Sequence, residues 1–356
     1  MTETAIDRGT TGRLPRPPSL ADESVLDYLE GVRNFSILHL FPKLAGSTDG
    51  LLAAAGVDRA ANFDELRRVL DPVPAVGIWK RLMRSQQQMT WQRIREAVYQ
   101  REAELECRLA EAANTAPDRL HYSPDFKVPP YATYEIHLQP GGYVGDALAG
   151  YVFHHGTKVF YQGANDQDEL HKSVAALVRA PEDGQVGRVL DLGCSIGQAT
   201  TALKDRFPDA EVWGLDVALP MVRYAHMRAV NAGANVHFVQ QLAEQTDFPA
   251  AHFDAVLAFI LFHEVPAHLF PRIIAEVFRV LRPGGAFTIV DAPHAANLPA
   301  ANRLWVQFDS EFNGEPYALD FVSCDLLRLL TEAGFRISDR PATDMFLDCI
   351  QCVKPA

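Results

Sequence analysis

The run Arg188-Val-Leu-Asp-Leu-Gly-Cys-Ser-Ile-Gly-Gln-Ala199 constrains this chain more than any other stretch. Val189, Leu190 and Leu192 suit a parallel strand covered on both faces. Gly193 and Gly197 then permit a tight turn and close approach of the backbone to a ligand before a helix begins. Strand, glycine-bounded turn and helix together make a nucleotide-type cradle in an α/β domain. A hydride-carrying dinucleotide is disfavoured, because G-x-G-x-x-G needs a third glycine where this chain has Gln198.

The residues that follow repeat the strand-helix alternation. Glu211-Val-Trp-Gly-Leu-Asp216 is a second apolar strand ending in a carboxylate, which can accept from vicinal ribose hydroxyls, cap the predicted helix Ala218 to Ala232, or do both. A third strand, Val236 to Gln240, leads into the turn 241–249, and His252 to His263 supplies a fourth. The helix Phe270 to Leu281 is stopped by Arg282-Pro-Gly-Gly285, since Pro283 cannot continue it, and Ala286 to Asp291 forms the fifth strand. A helix from Asp325 to Ala333, a stop at Gly334, and strands from Phe335 to about Ser338 and from about Met345 to Val353 end the chain. The last two strands lie too close in sequence for a parallel crossover, so the final one inserts antiparallel.

Asp191, Gly193 and Gly197, with Ser195 where a middle glycine could sit, resemble the first motif of class I S-adenosylmethionine-dependent methyltransferases, D/E-x-G-x-G-x-G. Glu276-Val-Phe-Arg-Val-Leu-Arg-Pro-Gly-Gly285 resembles the phrase E-x-x-R-V-L-R-P-G-G, typical of small-molecule methyltransferases similar to those of quinone biosynthesis. The resemblance covers roughly residues 170–356. It implies a Rossmann-like, seven-stranded α/β sheet with an antiparallel last strand, and S-adenosylmethionine as cofactor. The cofactor contacts it implies are Asp191, Gly193, Cys194, Ser195, Gly197, Asp216, Val217, Met221, Leu242, Ala243, Phe259 and Tyr161. Cys194 is read as a small apolar filler of the turn. Many members carry at the adenine an Asp where this chain has Leu242, so adenine is expected to pack on Leu242 and Phe248 beside backbone groups near Ala243 and Glu244.

Methyl transfer asks mainly for alignment, which can supply on the order of 7–11 kcal/mol of the barrier, while a general base adds roughly 10²- to 10⁴-fold. His263, at the C-terminal end of the fourth strand, is the candidate base, because ligands of open α/β sheets bind beyond those ends. A pocket-wall imidazole is the competing reading, and a metal held by Glu264 and His268, four apart on a helix, a third; no metal is expected, since spacing alone does not assemble three ligands. Asp291 and His294 are expected close by. The segment from Ala292 to Cys324 is long for a strand-helix connection. Trp305, Phe308 and Phe312, with Asp309, Glu311, Asn313, Glu315 and Tyr317, suit either a substrate cap or a helix docked for stability. His154, His155, Tyr151 and Tyr161 are candidate lid residues or an interdomain core. His154, His155, His294, Trp305, Phe308 and Phe312 are thus the substrate-binding candidates.

Length sets the rest of the organisation: 356 residues suggest about two domains. Residues 1–20, rich in Pro, Gly and Arg toward Ser19, read as a disordered tail; 21–116 as a helical domain; 117–169 as a Pro-, Gly- and Tyr-rich linker and active-site lid; and 170–356 as the cofactor domain. A single helix is predicted from about Lys80 to Ala113, serving as core, pocket wall or dimer element. A net charge of −12 makes nucleic acid a poor partner, and no apolar run approaches the roughly 18 residues of a membrane span. Five cysteines and an opening without a basic, apolar leader point to free thiols and a cytoplasmic location. Cys349 and Cys352, three apart in a strand, face opposite sides and so make neither a redox pair nor a zinc site. The expected activity is methyl transfer to O, N or C of a small aromatic or conjugated metabolite, with a homodimer through the N-terminal helices possible. The alternatives are a cofactor-binding enzyme of other chemistry and an inactive cofactor-binding regulator.

Overall fold

The computed structural model describes residues 8–58, 62–343 and 346–356. A hairpin of β1 (Thr10–Thr11) and β2 (Leu14–Pro15) precedes the main sheet. That sheet contains β3 (Leu120–His121), β4 (Arg188–Leu192), β5 (Glu211–Asp216), β6 (His237–Gln240), β7 (Phe253–Phe259), β8 (Leu281–Asp291), β9 (Arg336–Asp339) and β10 (Asp348–Val353). Their order is β3-β6-β5-β4-β7-β8-β10-β9, parallel except for β10, which runs antiparallel to both neighbours. The seven expected strands are all present. An eighth, two-residue strand from the linker extends the β6 edge.

Both faces of the central strands are buried, which is why β4 and β7 read as continuous apolar runs rather than alternating ones. On one face Leu190, Val256, Phe287 and Ile289 pack on the helix Phe270–Val280, whose Phe270, Ile273, Ile274, Val277 and Val280 fall on one stripe. On the other, Val189, Val212, Leu257 and Val290 meet the helices Glu169–Leu177, Gln198–Arg206 and Leu219–Asn231. Cys349 lies in the second core and Cys352 in the first, so the two thiols sit on opposite sides of the sheet. The E-x-x-R phrase has a bracing function: Glu276 accepts from Thr246 N at 2.8 Å, and Arg279 Nη2 donates to Phe248 O at 2.8 Å, fixing the turn after β6.

Two expectations for the N-terminal part need correction. Residues 8–19 are not a loose tail: Arg13 N donates to Asp166 O at 2.8 Å, Arg13 pairs with Asp168 at 3.1 Å, and Arg16 pairs with Glu23 at 2.6 Å. Residues 1–7 lie outside the described residues, as does Met345, the start expected for the last strand. The long helix is also broken, into Pro74–Tyr99 and Glu102–Thr115, with Arg101 at φ −120° and ψ 19°. A straight helix over residues 80–113 would extend about 50 Å at 1.5 Å per residue. The break instead lets Trp91, Ile94, Leu105 and Leu109 share one core with Tyr224 and Met227 of the helix Leu219–Asn231. The helical part is thereby packed on the sheet domain.

The inserted helix Ala300–Phe312 joins the same two parts. Leu304 packs with Leu52, Leu66, Leu70 and Val76, and Phe308 with Trp79 and Met83. Trp305 lies 4.9 Å from Phe41 and 5.3 Å from Trp79, centroid to centroid.

Candidate active site

Beyond the C-terminal ends of β4, β5 and β7 lies a cavity of about 270 Å³. Its floor is the glycine-bounded turn. Gly193 and Gly197 have φ of +77° and +74°, and Ser195 shares the left-handed region at φ +49°. A Cβ on Gly197 would come within 2.7 Å of Phe238, so this glycine serves the close packing of helix on sheet and does not itself line the cavity. Ser195 Oγ is buried without a hydrogen-bond partner among the described residues, beside a cavity with room for one.

Two strand-end carboxylates face this floor. Asp191 accepts from Thr200 Oγ1 at 2.6 Å, and burial, with Asp216 adding its charge, pushes its carboxyl up to about 7. Asp216 accepts from Ser195 N at 2.8 Å and Ala218 N at 2.9 Å, and burial raises it to about 6. Asp216 lines the cavity and ties down the turn before the next helix, but it is not that helix's N-cap: Ala218 holds that position, without a side-chain cap. Cys194, Val217, Met221, Ala243, Phe259 and Tyr161 line the same space. Leu242 and Phe248 do not. Leu242 is tied into a tight turn by its bridge to Gln245, and Phe248 is inserted between Trp213 and Phe253 at 5.3 and 4.8 Å.

The opposite wall centres on His263, in the short turn Phe262–Glu264 after β7. Its Nδ1 lies 2.5 Å from Asp291 Oδ1. Burial disfavours the imidazolium, but Asp291, with Glu315 and Glu264 behind it, more than compensates and raises the group to about 9. Asp291 is held in turn by Phe262 N at 2.9 Å and Ala292 N at 2.7 Å. Glu264 and His268 fall in separate short turns, Phe262–Glu264 and Ala267–Leu269, not on one helix, and among the described residues no group of three or more His, Cys, Asp or Glu could hold a metal ion.

The linker supplies the rest of this wall. His137, at φ +55°, places Nδ1 2.9 Å from Glu315 Oε1 and Nε2 3.4 Å from Glu264 Oε1. Burial opposes its charge, yet the two carboxylates raise it to about 10. Gln87 Nε2 and Trp91 Nε1 both donate to its carbonyl at 2.6 Å, which holds a conformation that costs a non-glycine residue about 1–3 kcal/mol. Tyr143 Oη donates to Glu264 at 3.2 Å, and Tyr131 Oη to both oxygens of Glu244 at 3.0 Å. Phe153, Phe160, Ile260, Leu261 and Val265 make the apolar sides. His171 also lines the cavity; burial drives it down to about 3, against the pull of Asp168.

Several substrate-binding candidates lie elsewhere. Trp305, Phe308 and Phe312 belong to the aromatic cluster with Trp79, because the apolar face of their helix turns toward the N-terminal helices. His154 is buried against Tyr224, its Nδ1 2.7 Å from the hydroxyl. His155 borders a crevice beneath Pro15–Pro18. His294 accepts from Ala296 N at 3.2 Å and caps the turn Ala295–Asn297. Sequence reasoning missed His137, Tyr143 and His171 as cavity residues. Tyr131, His137 and Tyr143 stood out only as aromatics among prolines and glycines, and nothing local marked His171.

Comparison with known proteins fits this geometry. Residues 189–285 match the family described as "Methyltransferase domain". The chain is 31% identical over 198 residues to the fatty-acid O-methyltransferase of Mycolicibacterium smegmatis, covering 54% of this chain and 69% of that protein. It is 36% identical over 118 residues to the demethylmenaquinone methyltransferase of Thermus thermophilus, covering 33% of this chain and half of the other. Among solved structures, magnesium protoporphyrin IX methyltransferase from Synechocystis with bound cofactor is 18% identical with a TM-score of 0.38, covering 55% of this chain and 84% of the other. With the cradle, the reversed last strand and the kinship in hand, the chain belongs to the class I small-molecule methyltransferases and uses S-adenosylmethionine as its methyl donor.

Proposed function

We propose that the enzyme transfers the methyl group to an oxygen of a small metabolite with an apolar body. The observation that carries this reading is that Asp191 and Asp216, on one side, and His263, held from behind by Asp291, on the other, border a single cavity with apolar sides. When bound, the cofactor supplies an activated methyl on a sulfonium. Asp216 offers two oxygens to vicinal hydroxyls, Ala243 and Val217 give an apolar seat, and Ser195 Oγ offers a polar contact at the turn. Phe153, Phe160 and Leu261 exclude water and orient the acceptor, and His263 faces its nucleophilic atom. The fatty-acid relative, whose name states an O-methyl transfer, supports oxygen as the acceptor atom.

Incubating the purified protein with radiolabelled S-adenosylmethionine and a small-metabolite extract should give labelled organic products that release methanol on alkaline hydrolysis or resist it as ethers. Products labelled only on nitrogen or carbon would overturn the oxygen assignment. Asp216→Asn should weaken S-adenosylhomocysteine binding in calorimetry, and unchanged affinity would remove Asp216 from the site.

A further inference from the structure

Among the described residues that line the cavity, none is an arginine or a lysine. S-Adenosylmethionine carries a carboxylate on its amino-acid arm, so other donors must meet it. Sheet order places that arm. Asp216 ends β5 and Ala243 follows β6. With ribose on Asp216 and adenine beside Ala243, the arm runs the opposite way along β6-β5-β4-β7, over the glycine turn toward Phe259 at the end of β7. Cys194, Gln198 and His171 line that side. The polar hydrogens around the cavity are mostly spent. Gln198 Nε2 donates to Asp168 Oδ1 at 2.5 Å, Thr157 Oγ1 to His154 O at 2.9 Å, and the Tyr131 and Tyr143 hydroxyls to Glu244 and Glu264. Tyr161 lies in the field of Glu264 on the facing wall. On the side of the glycine turn, Ser195 Oγ and His171 remain.

His171, in the helix Glu169–Leu177, is wedged edge-on between Phe259 at 5.5 Å and Tyr161 at 6.1 Å, centroid to centroid. Its tautomer follows from Asn165. The Asn165 Oδ1 accepts from Leu170 N at 3.0 Å, which turns the amide's Nδ2 toward His171 Nδ1 at 3.1 Å and leaves Oδ1 farther, at 3.3 Å. A donor facing Nδ1 needs a lone pair there, so the ring hydrogen sits on Nε2. Among the described residues Nε2 has no hydrogen-bond partner, yet it is not sealed in the core, so it opens on the cavity that the ring lines. Asp168 is held by Gln198, by Arg228 Nη2 at 2.9 Å and by Arg13 at 3.1 Å, and makes no hydrogen bond to the ring. Burial keeps the imidazole neutral.

We propose that His171 anchors the carboxylate of the cofactor's amino-acid arm through Nε2–H, with Asn165 as the positioning residue that fixes the tautomer. The inference rests on the seating of ribose at Asp216 and concerns the donor end of the cavity alone, whatever atom accepts the methyl group. A hydrogen bond to a full negative charge is among the stronger kinds, and here it is made by a neutral ring, so the anchor adds no second cation beside the sulfonium. Asn165 acts through the ring and touches no ligand itself.

The test is calorimetry on the full chain with three ligands: S-adenosylhomocysteine, its decarboxylated analogue S-adenosyl-3-thiopropylamine, and 5′-methylthioadenosine, which lacks the whole arm. His171→Phe keeps a ring between Phe259 and Tyr161 but removes the donor. It should lower S-adenosylhomocysteine affinity about 10- to 100-fold and leave the two ligands without a carboxylate within twofold. His171→Gln, whose amide can place an N–H near the position of Nε2, should recover most of the loss. Nitrogen-15 spectra of the wild-type protein should show His171 protonated at Nε2 and bare at Nδ1. Unchanged S-adenosylhomocysteine affinity in His171→Phe, equal losses for all three ligands in both variants, or a hydrogen on Nδ1 would each overturn the proposal. Asp216→Asn should weaken all three ligands alike; no effect on any of them would instead strike the ribose seat on which the proposal rests.

Discussion

The two halves of the cavity treat the same residue type in opposite ways. On the side of the glycine turn, His171 is buried beside Arg228 and Asp168 and stays neutral, driven down to about 3. On the facing wall, His263 is as buried and His137 only slightly less so, yet carboxylates in contact raise them to about 9 and about 10. Burial alone disfavours the charged ring in all three; a carboxylate in contact reverses the outcome. The half around the glycine turn, proposed for the cofactor, is assembled from strand ends and backbone groups of one contiguous α/β unit. The half around His263, proposed for the acceptor, is assembled from side chains delivered by the linker, the turn after β7 and the insertion after β8. The first is a backbone-defined site and the second a network of charges.

The sharpest way to break that division lies outside both halves. Phe308→Ala removes a fully buried ring from the Trp79 cluster and is expected to cost about 3–5 kcal/mol in urea unfolding, with KM for the acceptor unchanged in the folded fraction. A raised KM with intact stability would return that helix to the substrate site. Asp216→Ala should lower S-adenosylhomocysteine affinity by about 10- to 100-fold in calorimetry, matching loss of one or two charge-assisted hydrogen bonds. His137→Gly keeps the left-handed backbone but removes the ring that answers Glu264 and Glu315. It should raise acceptor KM about tenfold while cofactor affinity stays within twofold, and equal effects on both ligands would dissolve the distinction between the halves.

Stability against pH offers a subtler comparison. A histidine whose folded value is raised contributes stability that is complete below its ordinary value near 6.5 and is lost as pH rises; for His263 and His137 the loss runs up through about 9 and 10. His171, lowered to about 3, has the opposite sign: its contribution is present above 6.5 and is lost as pH falls. Substituting His137 by Gln should therefore flatten the alkaline limb of the unfolding curve, and His171→Gln the acid limb. The smallest effect is expected from Arg13→Ala. That half-exposed side chain pairs with Asp168, which also accepts from Gln198 Nε2 and Arg228 Nη2, so cofactor affinity should change by no more than about threefold.

Legibility followed the same division. The cradle, the strand order's reversed last member and the carboxylates at 191 and 216 were readable because each depends on local spacing: glycines where φ is positive, apolar runs where both faces are covered, Pro and Gly where a helix stops. Leu242 and Phe248 were misplaced because family position fixes a turn's existence, whereas side-chain direction there depends on packing against Trp213 and Phe253. Trp305, Phe308 and Phe312 satisfied helical periodicity, which marks a buried stripe without saying what buries it. His137 carried no local sign of its role: its partners Glu264 and Glu315 are remote in sequence, and its positive φ is imposed by Gln87 and Trp91 from another helix. Likewise the break at Arg101 reflects the shape of the core that the two helices wrap, not a weak point in the periodic pattern.

Gly314 gives this arrangement a temporal side. A Cβ at that position would come within 2.7 Å of Glu135 O, 2.9 Å of Leu138 N and 3.2 Å of His137 N, so the strained linker is seated directly on the tip of the insertion. On a translating ribosome, the linker emerges early and waits. Strands β4 to β7 can pair as they appear, but the loop joining His137 to Gly314 closes only after nearly the whole cofactor domain has been made, and closing so long a loop carries a larger entropic cost. The methyl-donor site is therefore expected to mature during synthesis, and selectivity for the acceptor only near its end.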